Sequence, residues 1–410
     1  MNLKLTSQTD DISASVKITG SKSESNRLLL LQALYPNIRL INVSNSDDSN
    51  AMKKALTTED KLIDIHHAGT TMRFLTSFFS VQDNKEIVLT GSERMKERPI
   101  QILVEALRKL GAIIAYEENE GYPPLRIKGQ ILKKNEVSLK ANVSSQYISS
   151  LLLIAPKLEN GLILKLEGEI TSRPYLQMTL ELLSELGIKN TFIENTIKVV
   201  PTKTIQDKEM VVESDWSSAS YFYGIAALSK TADITLSSYK KSSLQGDSVI
   251  VEIYKHFGIE TEFGENSIRI IKKANSKKSE NIELDLTHAP DIAQTIAVSC
   301  FGNGIGCHLT GLHTLKIKET DRLEALKTEL TNLGAKIEVT DKTLTLYPSE
   351  KINENIEIAT YNDHRMAMAF APLALKAPVK IKNAEVVSKS YPDFWKDMKK
   401  VGIINHSYNM

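Results

Sequence analysis

The stretch LKTELTNLGAKIEVTDKTLTLYP at residues 326–348 contains the pattern that decides the fold. Apolar residues at helical spacing lead to Gly334, and the two β-rich runs 335–341 and 343–348 follow it as a hairpin. Glycine adopts the left-handed conformation that ends a helix without the steric penalty of a Cβ atom. The stretch therefore predicts an amphipathic helix, a glycine cap and a β-hairpin.

Four more segments of the chain repeat this helix and its glycine. They are LVEALRKLGAII, LELLSELGIKN, IVEIYKHFGIE and FWKDMKKVGII, with Gly111, Gly187, Gly258 and Gly402. Together with Gly334, the glycines follow one another at intervals of 76, 71, 76 and 68 residues. Such even spacing indicates an internal repeat.

A second set of segments is more uniformly apolar, and helices that are apolar on most faces are buried. These segments begin near residues 25, 70, 144, 217, 291 and 364, and the first interval is about 28 residues shorter than the others. The chain therefore predicts six units of strand, buried helix, strand, amphipathic helix and hairpin, of which the first is truncated.

The predicted fold class is α/β, with two similar domains that each contain three βαβαββ repeats. A chain of 410 residues exceeds the size that one hydrophobic core usually serves, which also favours two domains. We expect repeats one to three at residues 21–212, and repeats four to six at residues 213–410 together with residues 1–20. The N-terminal strand fits either half.

Composition excludes several classes of protein. Hydrophobic residues make up 41% and charged residues 25% of the chain, as in soluble globular proteins, and a net charge of +1 argues against a nucleic-acid partner. Because we find neither a signal peptide nor an apolar run of roughly 18 to 20 residues, we predict a cytoplasmic protein with no membrane contact. Cys300 and Cys307 read as buried small residues, and no cluster has metal-ligand spacing.

Polar motifs lie at the starts of the predicted helices. Buried helices begin at GSKSESNR (20–27), HAGTTMR (67–73), VSSQY (143–147), APD (289–291) and NDHR (362–365), and amphipathic ones at MKERP (95–99), TSRPY (171–175), KETDR (318–322) and SKSYPD (388–393). Helix starts bind anions, whereas cations there oppose the helix dipole and so require an anionic guest. We expect these starts to form two surfaces facing each other across a cleft that binds phosphates and carboxylates.

Each motif also has a simpler interpretation. Ser, Thr and Asp before an apolar run are common helix caps, and Arg98 before Pro99 could be a surface charge. GSKS lacks the upstream glycine of a Walker A loop. Recurrence at equivalent positions favours the functional interpretation.

Nine of these motifs, in order from about residue 15 to 395, resemble the enolpyruvyl transferase family. GSKSESNR resembles the first substrate loop, AGTTMRF the glycine-bearing phosphoenolpyruvate loop, and MKERPI, SSQY, SRPY, PD, KETDR, NDHRMAM and SKSYPDF the motifs that follow. The likeness is to members that use shikimate 3-phosphate as acceptor. It implies an inside-out α/β barrel in each domain and domains that close over the substrates.

The resemblance also implies two sets of binding residues. Shikimate 3-phosphate is expected to contact Lys22, Ser23, Arg27, Ser144, Ser145, Gln146, Ser172, Tyr175, Asp291 and Lys318. Phosphoenolpyruvate is expected to contact Lys22, Gly69, Arg98, Gln146, Arg322, Arg365 and Lys389.

The implied reaction is addition of the acceptor hydroxyl to phosphoenolpyruvate, followed by expulsion of phosphate from a tetrahedral intermediate. Asp291 and Glu319 are the expected base and proton donor, and Lys22 and Arg98 are expected to stabilise charge on the departing phosphate. The resemblance implies no cofactor and no metal, and we expect a monomer.

Three features depart from the family pattern: His67 replaces a common Asn, Thr314 stands where Asn is frequent, and the first repeat lacks a terminal glycine and hairpin. Two alternatives stay open. One is the related enzyme with a UDP-aminosugar acceptor, which carries a reactive loop cysteine. The other is a non-catalytic anion-binding protein, which would be expected to lose Asp291, Glu319 or Lys22.

Overall fold

The computed structural model describes residues 1–140, 144–168, 170 and 173–408. The described chain divides into two compact units. The first unit is Gly20–Val212, and the second unit combines Met1–Thr19 with the chain from Glu213 onward. Gly20 therefore lies in the first unit, whereas the sequence-based division had placed residue 20 with the other half.

The N-terminal segment forms two strands, β1 (Leu3–Ser7) and β2 (Asp11–Val16). Both pair with strands of the second unit. β1 is antiparallel to the C-terminal strand, with Leu3 opposite Ser407, and β2 runs parallel to the strand that begins at Thr231. These long-range pairs place the N-terminal segment in the second unit.

The first unit alternates helices and short strands. Its elements are α1 (Lys22–Leu34), β3 (Ile38–Ile41), α2 (Asp47–Thr57), β4 (Leu62–Asp64), α3 (Gly69–Ser80), β5 (Glu86–Thr90), α4 (Glu93–Lys96), α5 (Gln101–Leu110), β6 (Ile113–Tyr116), β7 (Leu125–Lys128), β8 (Glu136–Lys140), α6 (Ser145–Ile154), β9 (Leu162–Glu167), α7 (Arg173–Glu185), β10 (Asn190–Ile193), β11 (Thr196–Val199) and β12 (Lys208–Val211).

Two sheets of this unit have four strands, in the orders β4-β5-β7-β6 and β8-β9-β11-β10. In each, two parallel strands are followed by an antiparallel hairpin. The truncated first repeat contributes only β3, which pairs in parallel with β12. Within the described residues this sheet has no hairpin, because α2 leads directly to β4 of the next repeat.

The second unit continues the alternation. Its further elements are α8 (Trp216–Leu228), β13 (Thr231–Ser237), α9 (Ile250–Ile253), β14 (Ile259–Phe263), β15 (Ser267–Lys272), β16 (Asn281–Asp285), α10 (Ala293–Gly302), β17 (Gly306–Thr310), α11 (Arg322–Asn332), β18 (Ile337–Val339), β19 (Leu344–Leu346), β20 (Glu357–Ile358), α12 (His364–Phe370), β21 (Val379–Ile381), α13 (Phe394–Lys400) and β22 (Ile403–Ser407).

Three four-stranded sheets in this unit repeat the same pattern, in the orders β2-β13-β15-β14, β16-β17-β19-β18 and β20-β21-β1-β22. The predicted α/β repeat is thus confirmed. The N-terminal strands complete two of these sheets, since β2 supplies the first strand of repeat four and β1 lies beside β22 in repeat six.

The glycine caps are confirmed by their backbone angles. The five repeat glycines have positive φ, from 72° to 112°: Gly111, Gly187, Gly258, Gly334 and Gly402. At Gly111 and Gly187 an added Cβ atom would meet nothing within 4 Å. Backbone conformation, and not crowding, therefore requires glycine at these two positions.

The uniformly apolar helices are buried, as predicted. Every residue of α8 is buried, and α10 buries all but its last residue, Gly302. Cys300 and Cys307 lie in this core as free thiols. Because the apolar bodies of these helices are anchored in the core, their polar first turns are held in place.

The prediction of one continuous amphipathic helix is wrong. The segment at residues 250–257 was expected to be one amphipathic helix, but it consists of the single turn α9 and a 3₁₀ turn at Tyr254–Phe257, preceded by another at Gly246–Val249. Its residues IVEIYKHF are rich in β-branched and aromatic side chains, which lose rotamer freedom in an α-helix.

Candidate active site

The first two turns of α1 carry Lys22, Ser23 and Arg27 in the first unit. Ser21 caps this helix, because its hydroxyl accepts a hydrogen bond from the Glu24 amide at 3.3 Å. Lys22 and Ser23 are half-buried, whereas Arg27 is 2% exposed. Lys22 makes no hydrogen bond or ion pair with the described residues of the chain, so its ammonium group is available to an anion.

Arg27 is held by neutral oxygens. Its Nε donates to Thr179 Oγ1 at 2.8 Å, and its two terminal nitrogens donate to Ser23 O, Ser149 Oγ and Tyr175 O at 2.7, 3.0 and 3.2 Å. Burial lowers the pKa of Arg27 to about 10, although the nearby Tyr175 and Glu24 partly offset this effect. The structure thus brings three predicted residues, Ser23, Arg27 and Tyr175, into direct contact.

Gly69 and Arg98 also come together. Gly69 is the first residue of α3, and the preceding Ala68 provides no side-chain cap. A Cβ atom on Gly69 would lie 2.5 Å from Arg98 Nη1 and 3.1 Å from Arg98 Cζ. The absence of a side chain at Gly69 therefore allows the Arg98 guanidinium to lie against an uncapped helix start, where an anion would be stabilised.

Arg73 lies beside this pair and was given no role by the sequence, although it belongs to the HAGTTMR motif. It is buried, and it donates to Gly69 O at 3.0 Å and to Pro99 O at 3.4 Å. Burial, and next the neighbouring Arg98, lower its pKa to about 10. Arg73 therefore links the Gly69 turn to the segment that carries Arg98.

Gln146 and the two serines before it lie at the start of α6. The Ser144 hydroxyl caps the helix by accepting from the Gln146 amide at 3.3 Å, so Ser144 has the simpler structural role as well. Gln146 Nε2 donates to Thr70 Oγ1 at 3.3 Å, which places Gln146 beside the Gly69 turn. Ser145 is half-buried in the same first turn. The predicted residue Ser172 lies outside the described residues.

In the second unit, three cations surround the carboxylate of Asp291. Arg322 Nη1 and Lys318 Nζ lie 2.9 and 3.4 Å from Oδ1, and Arg365 Nη2 lies 3.2 Å from Oδ2. The Asp291 side chain is 12% exposed. It lies within the 3₁₀ turn Pro290–Ile292, and the residue before this turn, Ala289, provides no side-chain cap.

Arg322 is the centre of this cluster. It is 1% exposed and also contacts Glu319 Oε2 at 2.8 Å and Asp363 Oδ2 at 2.6 Å. Burial alone would lower the pKa of Arg322, but the carboxylates of Asp363, Glu319 and Asp291 outweigh burial and raise it. Arg322 therefore stays charged, and it brings the two predicted catalytic carboxylates, Asp291 and Glu319, onto one guanidinium.

Arg365 and Lys389 complete the set of predicted residues. Burial is the largest effect and opposes the charge of Arg365, but the combined attraction of Asp291 and further acidic neighbours outweighs burial and raises the pKa of Arg365 well above its usual value. Lys389 Nζ donates to Asn362 O at 2.6 Å, in the segment just before Arg365. Asp363 was named in the sequence analysis only as part of the NDHR motif. It caps α12, because its carboxylate accepts a hydrogen bond from the Arg365 amide at 2.8 Å.

Asp247 is a site residue that the sequence analysis missed. It is buried, and its carboxylate accepts a hydrogen bond from Ser217 Oγ, which also contacts Arg365 Nη2 at 3.2 Å. Burial and the neighbouring Asp291 raise the pKa of Asp247 to about 6, against the attraction of Arg365. Periodicity could have found it, because it follows Gly246 at the start of the broken amphipathic element of repeat four.

The described residues contain neither a candidate metal site nor a candidate membrane-spanning helix. Among them, no group of three or more His, Cys, Asp or Glu side chains could hold a metal ion. No described helix is both long and apolar enough to cross a bilayer.

The arrangement in each unit therefore suits anionic ligands. One unit presents Lys22 at a helix start together with Arg27 and Arg98, and the other presents two buried arginines in contact with carboxylates.

Two solved enolpyruvyl transferases share this fold. The chain matches an EPSP synthase from Acinetobacter baumannii with a TM-score of 0.82, 22% identity and full coverage of both chains. It also matches the enolpyruvyl transferase NikO from Streptomyces tendae with a TM-score of 0.73, 13% identity, and coverage of 100% of this chain and 99% of that one. The chain thus has the enolpyruvyl transferase fold.

Sequence comparison narrows the class to one family. A 3-phosphoshikimate 1-carboxyvinyltransferase from Bacteroides fragilis is 46% identical over 402 residues, which cover 97% of each chain. The family model of EPSP synthase (3-phosphoshikimate 1-carboxyvinyltransferase) matches residues 52–398. The chain belongs to the EPSP synthase family.

Proposed function

We propose that this protein transfers the enolpyruvyl group of phosphoenolpyruvate to the 5-hydroxyl of shikimate 3-phosphate and releases phosphate. Family membership supports this reaction, which belongs to aromatic amino acid biosynthesis. The observation that carries the proposal is the Asp291 carboxylate in contact with Arg322, Lys318 and Arg365. A proton acceptor surrounded by cations suits an alcohol that must lose its proton next to an anionic co-substrate.

In this proposal two sets of predicted residues hold the two substrates. Shikimate 3-phosphate contacts Lys22, Ser23, Arg27, Ser144, Ser145, Gln146, Ser172, Tyr175, Asp291 and Lys318. Phosphoenolpyruvate contacts Lys22, Gly69, Arg98, Gln146, Arg322, Arg365 and Lys389.

The reaction proceeds by addition and elimination. Asp291 accepts the proton of the 5-hydroxyl while the hydroxyl oxygen forms a bond to C2 of phosphoenolpyruvate. Glu319 donates a proton to the methylene carbon, which becomes a methyl group. The tetrahedral intermediate then loses phosphate through cleavage of the C2–O bond, and a methyl proton returns to a base as the vinyl group re-forms. Lys22 stabilises charge on the leaving phosphate.

The contact between Glu319 Oε2 and Arg322 fits this cycle. The arginine is a partner for Glu319 whenever the carboxylate is ionised, so the same side chain can give up and regain a proton between the two steps. We further propose that the enzyme acts in the cytoplasm as a monomer, without a cofactor.

A phosphate-release assay tests the proposal. With phosphoenolpyruvate present, shikimate 3-phosphate should produce phosphate and an enolpyruvyl product of matching mass, whereas a UDP-aminosugar should not. The related enzyme with the latter acceptor uses a reactive loop cysteine, and both cysteines here are buried. Turnover with the UDP-aminosugar alone, or no turnover with either acceptor, would contradict the proposal.

A further inference from the structure

The guanidinium of Arg27 is oriented by a pair of buried hydroxyls. Thr179 and Ser149 are both 0% exposed, and they accept from Arg27 Nε at 2.8 Å and Nη2 at 3.0 Å. The hydroxyls also contact each other at 2.9 Å, and Thr179 Oγ1 lies 3.0 Å from the carbonyl of Tyr175 one helical turn earlier. These contacts connect α1, α6 and α7 through one side chain.

A count of donors shows what is left for a ligand. An arginine has five N–H groups: one on Nε and two on each terminal nitrogen. Thr179 takes the Nε proton, Ser149 and Tyr175 O take the two on Nη2, and Ser23 O takes one on Nη1. Within the described residues, one Nη1–H is therefore without a protein acceptor.

The acceptors around Arg27 are neutral, unlike those around Arg322. No ion pair of the described chain includes Arg27, whereas three carboxylates contact Arg322. A carboxylate would both orient a guanidinium and cancel its charge, but hydroxyls and carbonyls orient it and leave the charge in place. A buried cation of this kind is stabilised further when an anionic ligand binds beside it.

We propose that Thr179 and Ser149 are positioning residues that direct the one remaining Nη1–H of Arg27 at the anionic acceptor substrate. The inference rests on the proposed function, in which Arg27 contacts that acceptor. It adds that the two hydroxyls control acceptor binding without touching the substrate, and that phosphoenolpyruvate binding does not depend on them.

Thr179→Val tests this, because valine has the same shape and lacks only the hydroxyl. Loss of one hydrogen bond to a charged group should raise the Kd for shikimate 3-phosphate about tenfold, with the KM for phosphoenolpyruvate within about twofold of the parent. Ser149→Ala should give the same pattern, and Thr179→Ser should restore binding.

Thr76→Val is the matched control. Thr76 is also 0% exposed in a helix of the same unit, and its hydroxyl donates to the carbonyl one turn earlier, Met72 O, at 2.7 Å, with no arginine among its partners. This variant should bind both substrates like the parent. Equal losses in Thr76→Val and Thr179→Val, or equal effects of Thr179→Val on both substrates, would overturn the proposal.

An NMR measurement gives a readout that does not depend on activity. The Arg27 Nε–H resonance, identified by its absence in Arg27→Lys, should exchange slowly with water in the parent and quickly in Thr179→Val, and should be unaffected in Thr76→Val. An unchanged resonance in Thr179→Val would overturn the positioning role. A parent that neither binds nor converts shikimate 3-phosphate would instead refute the proposed function, and the resonance would still decide whether the hydroxyls orient Arg27.

Discussion

Replacement of Asp291 by Asn is the sharpest test of the proposed chemistry. The substitution keeps the size of the side chain and removes its negative charge and its ability to take up a proton. Arg322 at 2.9 Å, Arg365 at 3.2 Å and Lys318 at 3.4 Å then face a neutral amide. If Asp291 is the base, turnover should fall by about 10²- to 10⁴-fold.

Binding and stability should change in other directions. With one negative charge fewer among three cations, the KM for phosphoenolpyruvate should stay the same or fall, so the loss should appear in kcat. Breaking a buried ion pair can cost about 3–5 kcal/mol, but Arg322 keeps Glu319 and Asp363, so we expect about 1–2 kcal/mol. For a unit of this size that corresponds to a decrease in Tm of about 2–8 °C.

Steady-state phosphate release, substrate binding and thermal unfolding measure these three effects separately. Asp363→Asn is the control, since Asp363 contacts the same arginine at 2.6 Å and is completely buried. By the same charge argument it should leave the KM for phosphoenolpyruvate unchanged or lower, while losing much less turnover than Asp291→Asn. If the two variants lose turnover equally, Asp291 acts through Arg322, and if Asp291→Asn stays within a few-fold of the parent, the base lies elsewhere.

Two further predictions follow from other contacts. Gly69→Ala should raise the KM for phosphoenolpyruvate, because the new Cβ would lie 2.5 Å from Arg98 Nη1 and displace this guanidinium. Competitive inhibition by the phosphonate glyphosate should also weaken. Unchanged steady-state kinetics would contradict this prediction. Asp247 has a pKa raised from 3.8 to about 6, so its stabilising contribution is present below about pH 4 and is lost as the pH rises through 6. Between pH 4 and 7, the free energy of unfolding of Asp247→Asn, measured with urea, should therefore rise relative to that of the parent by up to roughly 3 kcal/mol. A difference that does not depend on pH would refute the raised pKa.

Much of the fold could be predicted from the sequence because its signals are local. The glycine at position 334 and its four counterparts end helices through their own backbone angles, and α8 is buried because its own residues are apolar. The pairing of β1 and β2 was left open, since it depends on strands more than 200 residues away. The break at residues 246–257 was missed because the glycine repeat outweighed the poor helix propensity of that segment.

The candidate site shows the same division. Charged residues at helix starts were identifiable because their position opposes the helix dipole, as at Arg322 and Arg365. Asp247, Arg73 and Thr179 were not, because their importance arises from contacts with residues distant in the chain. A buried hydroxyl such as that of Thr179 carries no sequence signal that separates it from an ordinary helix residue.

The placement of β1 beside β22 has a consequence for chain connectivity. Leu3 lies opposite Ser407, so a short linker could connect β22 directly to β1. A circularly permuted protein that starts at Gly20 and ends at Thr19 would then encode the first unit and the second unit each as one uninterrupted segment, connected once instead of twice. In such a permutant the ribosome would complete one unit before it began the other. In the natural order β2 must wait until β13 has been made, and β1 until β22 near the end of the chain has been made.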